Sequence, residues 1–434
     1  MKVFIYLLFF VFYSFQAFAL DTIEIEKLYG NLIPISISNI NQEDDKELQT
    51  VFLALSDIIG NDFKTTVDMD YKGVHNYLAD LNILNLKKYQ YEGIVYNINI
   101  NIFYQSKEDK KFIIEIKVYD VKNESILTEK KYAFKEDNIR KTAHIVADVA
   151  YYAMTGKVGY FQSKILFSSS DLVKNKHSKK SIYIIDQDGY GEKILLQGGI
   201  FNSPIFDAKN NALIYVDMTN GEPSLRAVSI FTKDKINLEK LYSGFKYSEY
   251  MSSPSLCNKK NCLLASRLLG EGSSIVKFET MGEDTIASGN INTSASSSPD
   301  DEKIVFESNY EGRRNLYITG QSFASIRKML IGSDGIYAEP AWSYDGEWIC
   351  FTKLRNGLFH IGIIHPDGTD EQILYSSHMI ENPMWMPNSD AIIFSEKKSM
   401  SSKSTLTMID LNGRLVRKIN TTIGAVSPFI WIIK

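Results

Sequence analysis

The 434-residue chain is 44% hydrophobic and 23% charged, the balance of a folded globular protein long enough for two domains. Its net charge of −4, with no concentrated basic face, excludes a nucleic-acid footprint. The densest positive run, Lys174 to Lys180, falls between two strand-like segments and reads as a solvated loop.

The first nineteen residues differ from everything after them. Lys2 is a minimal positive n-region, Val3 to Phe15 is nearly unbroken apolar sequence, and Ala17-Phe18-Ala19 is a small-x-small cleavage site. The pattern predicts a signal peptide over 1–19, cut between Ala19 and Leu20, with an uncleaved anchor as the alternative. The apolar run falls short of the ~20 residues of a membrane span, and no later run reaches that length. The mature chain is therefore expected outside the cytoplasm, peripheral to the membrane and monomeric.

Residues 20–160 mix periods, as an α/β domain does. Leu32 to Ile37 reads as a strand, Asp45 to Ile59 as an amphipathic helix, and Tyr71 to Leu81 as a second, weaker helix. Three strand-like runs follow: Tyr91 to Tyr104, Phe112 to Val121 and Ile126 to Phe134. In the first, isoleucines alternate with Asn97, Asn99 and Asn101, which predicts one buried face and one wet face. A helix over Asp137 to Met154 closes the region, with Gly156 placed as its left-handed C-terminal residue.

From residue 161 helical periodicity stops and a repeat begins. Its unit is a small or polar residue plus Pro, an apolar pair, a polar turn and an apolar strand. The copies start at Ser203, Ser253, Ser294, Glu339 and Asn382, and the positions following these are 50, 41, 45 and 43 residues apart. Asp-Gly and Asn-Gly turns supply a second strand pair in several units. A period in the forties with four short strands is that of propeller blades. The first unit begins at Lys164 without its Ser-Pro strand, and the chain ends on Ser427-Pro-Phe-Ile-Trp-Ile-Ile-Lys434, which is that missing strand. Five full units and one composite predict a six-bladed β-propeller over 161–434, closed by the C-terminal strand.

The inventory of reactive groups does not favour catalysis. A propeller peptidase needs a G-x-S-x-G elbow, and Gly270-Glu-Gly-Ser-Ser274 lacks the closing glycine. The six histidines have no helical i, i+4 pairing, and His144 reads as a structural hydrogen-bonding residue. Asp186, Asp188, Asp300, Asp301 and Asp345 fall in turns, where local hydrogen bonds account for them, with a Ca²⁺ site as the alternative. Phe206, Trp342, Trp385 and Trp431 read as inter-blade core. Cys350 sits in an apolar strand as a core residue, while Cys257 and Cys262 flank a hairpin tip, either as a disulfide or as two thiols. No cofactor is implied.

In a propeller the first strand of each blade lines the channel, so the residues at the repeat start lie near its mouth. Ser203, Ser253, Ser294, Glu339, Asn382 and Ser427 are the candidate partner surface, shallow and polar. The competing readings are an extracytoplasmic propeller enzyme and a cell-wall or sugar-binding module.

The stretch Arg140-Lys-Thr-Ala-His-Ile-Val-Ala-Asp148, with Tyr152, Thr155-Gly156, Gly159, Phe161 and the earlier Tyr119-Asp120-Val121, resembles the domain junction of the TolB family of the Tol-Pal system. The resemblance implies a periplasmic scaffold whose N-terminal domain resembles an anticodon-binding fold. It implies a propeller mouth, Glu339 included, that binds the lipoprotein Pal, and a mature N-terminus (Leu20, Asp21, Thr22, Ile23) that contacts TolA. It leaves room for other outer-membrane proteins. Roles in outer-membrane integrity and envelope constriction at division are implied in the same way.

Overall fold

A computed structural model describes residues 32–39, 45–75, 83–169, 179–245, 250–279, 282–320, 328–329 and 334–432. The signal-peptide expectation, its Ala19–Leu20 cleavage point and the mature N-terminal residues Leu20 to Ile23 lie outside these residues, as does most of the basic run.

The N-terminal region is a five-stranded sheet in the order β2-β1-β3-β4-β5. Its strands are β1 (Ile33–Asn39), β2 (Met69–Val74), β3 (Tyr96–Ser106), β4 (Lys111–Asp120) and β5 (Ser125–Lys135). β1 runs parallel to both β2 and β3, and β3-β4-β5 is an antiparallel meander. Helix α1 (Lys46–Phe63) supplies the crossover that parallel strands require, and Asp45 caps it by accepting the Glu47 and Leu48 N–H groups. Helix α2 (Ile83–Tyr91) leads into β3, and helix α3 (Ile139–Thr155) ends on Gly156 at φ 74°. α1 and α3 bury Leu55, Ile59, Val146 and Ala150 against Ile98, Ile100, Ile114 and Ile116.

Three sequence expectations differ from the structure. Tyr71 to Val74, the start of the helix expected over Tyr71 to Leu81, belong instead to the edge strand β2, whose Met69 to Tyr71 pair directly with Ile33 to Ile35. The expected strand from Tyr91 starts at Tyr96, since Tyr91 still belongs to α2. The asparagine face of β3 is also not wet. Asn97 and Asn99 are 0% and 4% exposed, and their amides donate to the Ser36 and Ser38 hydroxyls of β1, each at 2.9 Å. A buried amide is stable only when so paired. Alternation of apolar and polar residues identified the strand but could not show that serines one strand away satisfy its second face.

The rest of the described chain is a ring of six four-stranded sheets. Blade 1 combines β6 (Lys164–Ser169), β7 (Ile182–Asp186) and β8 (Lys193–Leu196) with the last strand, β29 (Ala425–Trp431). Blade 2 is β9 (Phe201–Asp207), β10 (Ala212–Asp217), β11 (Ser224–Ser229) and β12 (Lys235–Ile236), followed by the one-turn helix α4 (Leu238–Leu241). Blade 3 is β13 (Met251–Leu256), β14 (Leu263–Leu269), β15 (Gly272–Glu279) and β16 (Gly282–Asn290). Blade 4 is β17 (Asn292–Ser297), β18 (Lys303–Ser308), β19 (Asn315–Gly320) and β20 (Lys328–Met329). Blade 5 is β21 (Ile336–Trp342), β22 (Ile349–Arg355), β23 (Leu358–Ile364) and β24 (Gln372–Ser377). Blade 6 is β25 (Met379–Trp385), β26 (Ala391–Lys397), β27 (Thr405–Asp410) and β28 (Leu415–Ile419). β29 pairs antiparallel with β6, Ala425 opposite Ser169 and Trp431 opposite Lys164, so the two ends of the repeat complete one sheet.

Aromatic and aliphatic side chains fill the seams between blades. Trp385 is 1% exposed and donates its indole N–H to the Ala341 carbonyl of the preceding blade at 2.9 Å. Phe206 packs against Trp431 in a tilted pair with centroids 4.1 Å apart, joining blades 1 and 2. Cys350 is fully buried in β22. Cys257 and Cys262 are joined as a disulfide across the β13–β14 turn.

Candidate functional site

The candidate mouth residues occupy one recurring backbone feature. In each inner strand the register with its neighbour slips at this point, between Asn202 and Ile205, Ser252 and Ser255, Thr293 and Ser296, Ala338 and Ala341, Glu381 and Met384, and Val426 and Phe429. The slip is a β-bulge. At it, Ser203, Ser253, Ser294, Glu339, Asn382 and Ser427 have φ of 47°, 47°, 54°, 52°, 52° and 51°. Left-handed backbone in non-glycine residues costs about 1 kcal/mol or more apiece. Five of the six precede proline, which disfavours helical backbone in the residue before it and brings no N–H to the ladder. The proline makes the bulge cheap in hydrogen bonds, and the bulge turns the preceding residue out of the sheet. Each inner strand contacts the next around the ring, and β29 meets β9 to close it, so the structure brings all six residues into one circle.

The circle is chemically uneven. Glu339 is not a free carboxylate. Its Oε2 accepts the Asn382 N–H at 2.8 Å and the Thr352 hydroxyl at 3.0 Å, and its Oε1 accepts the Asn382 amide at 3.1 Å. It thus links blade 5 to blade 6. Two further carboxylates stand beside it. Glu307 of β18 is 3% exposed, and burial raises its pKa, with Arg314 opposing and Glu339 adding to the rise. Glu381 is raised by burial and then by Glu339, against Lys180 and Lys397. Blades 4 to 6 therefore present a cluster of carboxylates, while blades 1 to 4 contribute serines to the ring.

Glu307, Glu381, Lys180 and Lys397 were missed in the sequence. The available signal was a charge closing an apolar strand, as in Ile304-Val-Phe-Glu307, which reads equally well as a surface residue.

A second polar cluster ties the N-terminal region to the propeller. Asp62, fully buried at the end of α1, accepts from or pairs with His144 Nδ1 of α3 at 2.7 Å and accepts the Gln187 amide at 3.0 Å. Arg417 of β28 reaches Gln187 Oε1 at 3.2 Å and the Asn61 carbonyl at 3.2 Å. Arg140 pairs with Asp186 and Asp188, and Lys164 also pairs with Asp186. Lys157 bonds Asp390 at 2.8 Å, and Arg414 donates to the Val67 carbonyl at 2.6 Å. Phe161, 1% exposed, packs against Phe63 and Tyr151 in a core continuous with blades 1 and 6. His144 thus has the hydrogen-bonding role expected of it.

Asp62, His144 and Asp188 are the described residues whose ligand atoms are close enough to hold a metal ion. Their surroundings fit a latch better. Three carboxylates (Asp62, Asp186, Asp188) already face three cations (Arg140, Lys164, Arg417), and His144 commits Nδ1 to Asp62. Burial raises the Asp62 pKa to about 6, with the His144 hydrogen bond opposing.

The turn aspartates divide. Asp300 and Asp345 make local bonds: Asp300 accepts the Ser298 hydroxyl and the Glu302 N–H, and Asp345 accepts the Ser343 hydroxyl and the Glu347 N–H. Asp301 departs from that expectation. Its fully buried carboxylate accepts the backbone N–H groups of Asn258, Lys259 and Lys260 in the preceding blade at 2.7–2.8 Å, plus the Ser297 hydroxyl at 2.9 Å.

The TolB beta propeller domain family matches residues 151–433. The chain belongs to the TolB β-propeller family. It is 28% identical over 325 residues to the Tol-Pal system protein TolB of Gluconobacter oxydans (strain 621H), covering 73% of this chain and 70% of that protein. It is also 28% identical over 318 residues to the Tol-Pal system protein TolB of Wolbachia pipientis wMel, covering 73% and 74%. Among solved structures, TolB from Acinetobacter baumannii superposes with a TM-score of 0.76 at 19% identity, over 93% of this chain and 98% of that one, which establishes a shared fold. The N-terminal α/β region and the six-bladed ring of this TolB-family chain are both part of that likeness.

Proposed function

We propose that this chain is a periplasmic, non-catalytic scaffold of the Tol-Pal system. The channel mouth binds the lipoprotein Pal, the mature N-terminus binds TolA, and the two contacts support outer-membrane integrity and envelope constriction during division. The observation that carries the reading is the ring of six left-handed residues: strain repeated at six equivalent positions around one opening supports a surface held ready for a partner. Membership of the TolB family and relatives named for the Tol-Pal system support the choice of partner.

The test is calorimetric titration of the mature chain with the soluble domain of Pal from the same organism. Ser203→Arg and Asn382→Arg are expected to weaken binding about tenfold or more while the melting curve stays cooperative. Unchanged affinity in both variants would overturn the mouth as the contact surface. Removing residues 20–27 is expected to abolish TolA binding and leave Pal binding intact.

A further inference from the structure

The turn between β13 and β14 is fastened to its neighbours more heavily than the matching turn of blade 5. Its backbone N–H groups at Asn258, Lys259 and Lys260 converge on the Asp301 carboxylate of blade 4 at 2.7–2.8 Å. The Asn258 amide adds bonds to the Ser297 and Ser298 carbonyls at 3.2 and 3.0 Å, and Lys209 of blade 2 holds the Lys259 carbonyl at 3.2 Å. The matching contact between blades 5 and 6 is an N–H of Asp345 donated to the Ser389 hydroxyl at 3.1 Å. Asp301 and Ser389 hold the same place in their turns, with left-handed backbone at φ 62° and 61°.

The heavily fastened turn is also the one that carries the disulfide. Cys257 and Cys262 close it, five residues apart in sequence. A loop this short gains little from closure itself, because the entropy a cross-link removes from the unfolded chain grows with loop length. The bond acts on the folded state: consecutive N–H groups reach one carboxylate while the turn between the sulfurs stays tightly curled. Asp301 is fully buried, and a buried carboxylate that loses its donors is costly. Fastening this seam holds β13 against β17, the strands that carry Ser253 and Ser294, and the Ser255 hydroxyl donates to the Ala295 carbonyl between the same two strands at 2.6 Å.

The two sulfurs are not equally reachable. Cys262 is 2% exposed, whereas Cys257 is half-buried at the foot of the exposed loop Asn258 to Asn261. Lys259 and Lys260 place two ammonium groups in that loop, which favours an approaching thiolate.

We propose that Cys257–Cys262 is a thiol–disulfide exchange site that fastens and releases the seam between blades 3 and 4. Its reaction partner is a dithiol. One thiolate of the dithiol attacks Cys257 Sγ, the bond to Cys262 breaks, and Cys262 leaves with the electron pair and takes up a proton. The second thiol then displaces Cys257 from the mixed disulfide. Two electrons and two protons pass to the cysteine pair, and the dithiol becomes a disulfide. The released turn lets its N–H groups leave Asp301, and oxidation draws them back. The site lies past the end of β13, so it stands or falls independently of what the channel mouth binds.

The test treats the folded mature chain with dithiothreitol at about 1 mM, reading thiols by alkylation and amides by hydrogen exchange. Cys257 and Cys262 are expected to become alkylated while the buried Cys350 does not. Protection at Asn258 to Lys260 should fall about tenfold, with the Asp345 amide of blade 5 unchanged. Asp301→Asn should lower the same amides in the oxidised chain and remove most of the further effect of reduction. A disulfide that yields only when Cys350 is alkylated as well would overturn the proposal, since reduction would then require unfolding. So would protection at Asn258 to Lys260 that reduction leaves unchanged, or that it lowers equally in Asp301→Asn.

Discussion

Asp301→Ala isolates one inter-blade contact. The carboxylate of Asp301, at the start of blade 4, holds three consecutive N–H groups of the blade 3 turn and the Ser297 hydroxyl. A net hydrogen bond is worth about 1 kcal/mol and about 1.5 kcal/mol to a charged acceptor, so four bonds bracket roughly 4–6 kcal/mol. Asn258, Lys259 and Lys260 lie at the surface, where water can replace part of the loss. The lower figure, about 4 kcal/mol, is the expected destabilisation in denaturant unfolding. Asp300→Ala is the matched control: the adjacent carboxylate makes only turn-local bonds, and its removal should cost less than about 1 kcal/mol. The Cys257–Cys262 disulfide closes the turn that supplies the three donors, so reducing it should cost less in the Asp301→Ala background than in the wild type. Equal effects of Asp300→Ala and Asp301→Ala would refute the reasoning.

The domain latch makes a pH prediction. Asp62 is near pKa 6 when folded, against about 3.9 in an unfolded chain, so the folded state binds a proton that the unfolded state releases. This group therefore adds stability as pH falls from about 6.5 towards 4, by at most ~3 kcal/mol, and that contribution is lost as pH rises through 6. Asp62→Asn should flatten this part of the profile of melting temperature against pH; an unaltered slope would assign the dependence to other groups. At the junction, a Cβ on Gly159 would lie 2.8 Å from the Asp148 Cα and closer still to its carboxylate. Asp148 holds the Phe161 N–H at 2.8 Å, so Gly159→Ala is expected to cost about 2 kcal/mol or more in denaturant unfolding and to loosen Phe161 from its pocket.

What the sequence disclosed followed from periodicity. A repeat of some forty residues with Pro at a fixed place locates every inner strand, and the unpaired first and last strands fix the number of blades. Those proline positions also coincide with the bulges, because a residue without an N–H is tolerated in a sheet only where the ladder is already broken. Three features escaped for one reason: they depend on partners far along the chain. The 69–74 segment becomes a strand because β1 has a free parallel edge. Asn97 and Asn99 are buried because serines about 60 residues away answer them. Glu339, readable as an exposed charge at a mouth, is engaged by Asn382 one blade on. Local pattern reports which face a residue occupies, not who meets it there.

The pairing of β29 with β6 sets the order in which the molecule can be made. Ala425 and Ser169 are about 250 residues apart, among the longest and slowest kinds of closure a chain can undergo. Until β29 emerges, blade 1 keeps a bare inner edge and the seams with blades 2 and 6 lack one wall. The core that joins the N-terminal region to the ring includes Ala425 and Ile430, so that docking waits for the same strand. A nascent chain of this design stays loose through its own synthesis and locks in a single late step. Export as proposed above would exploit this, because a lock that waits for β29 leaves the preceding thread passable.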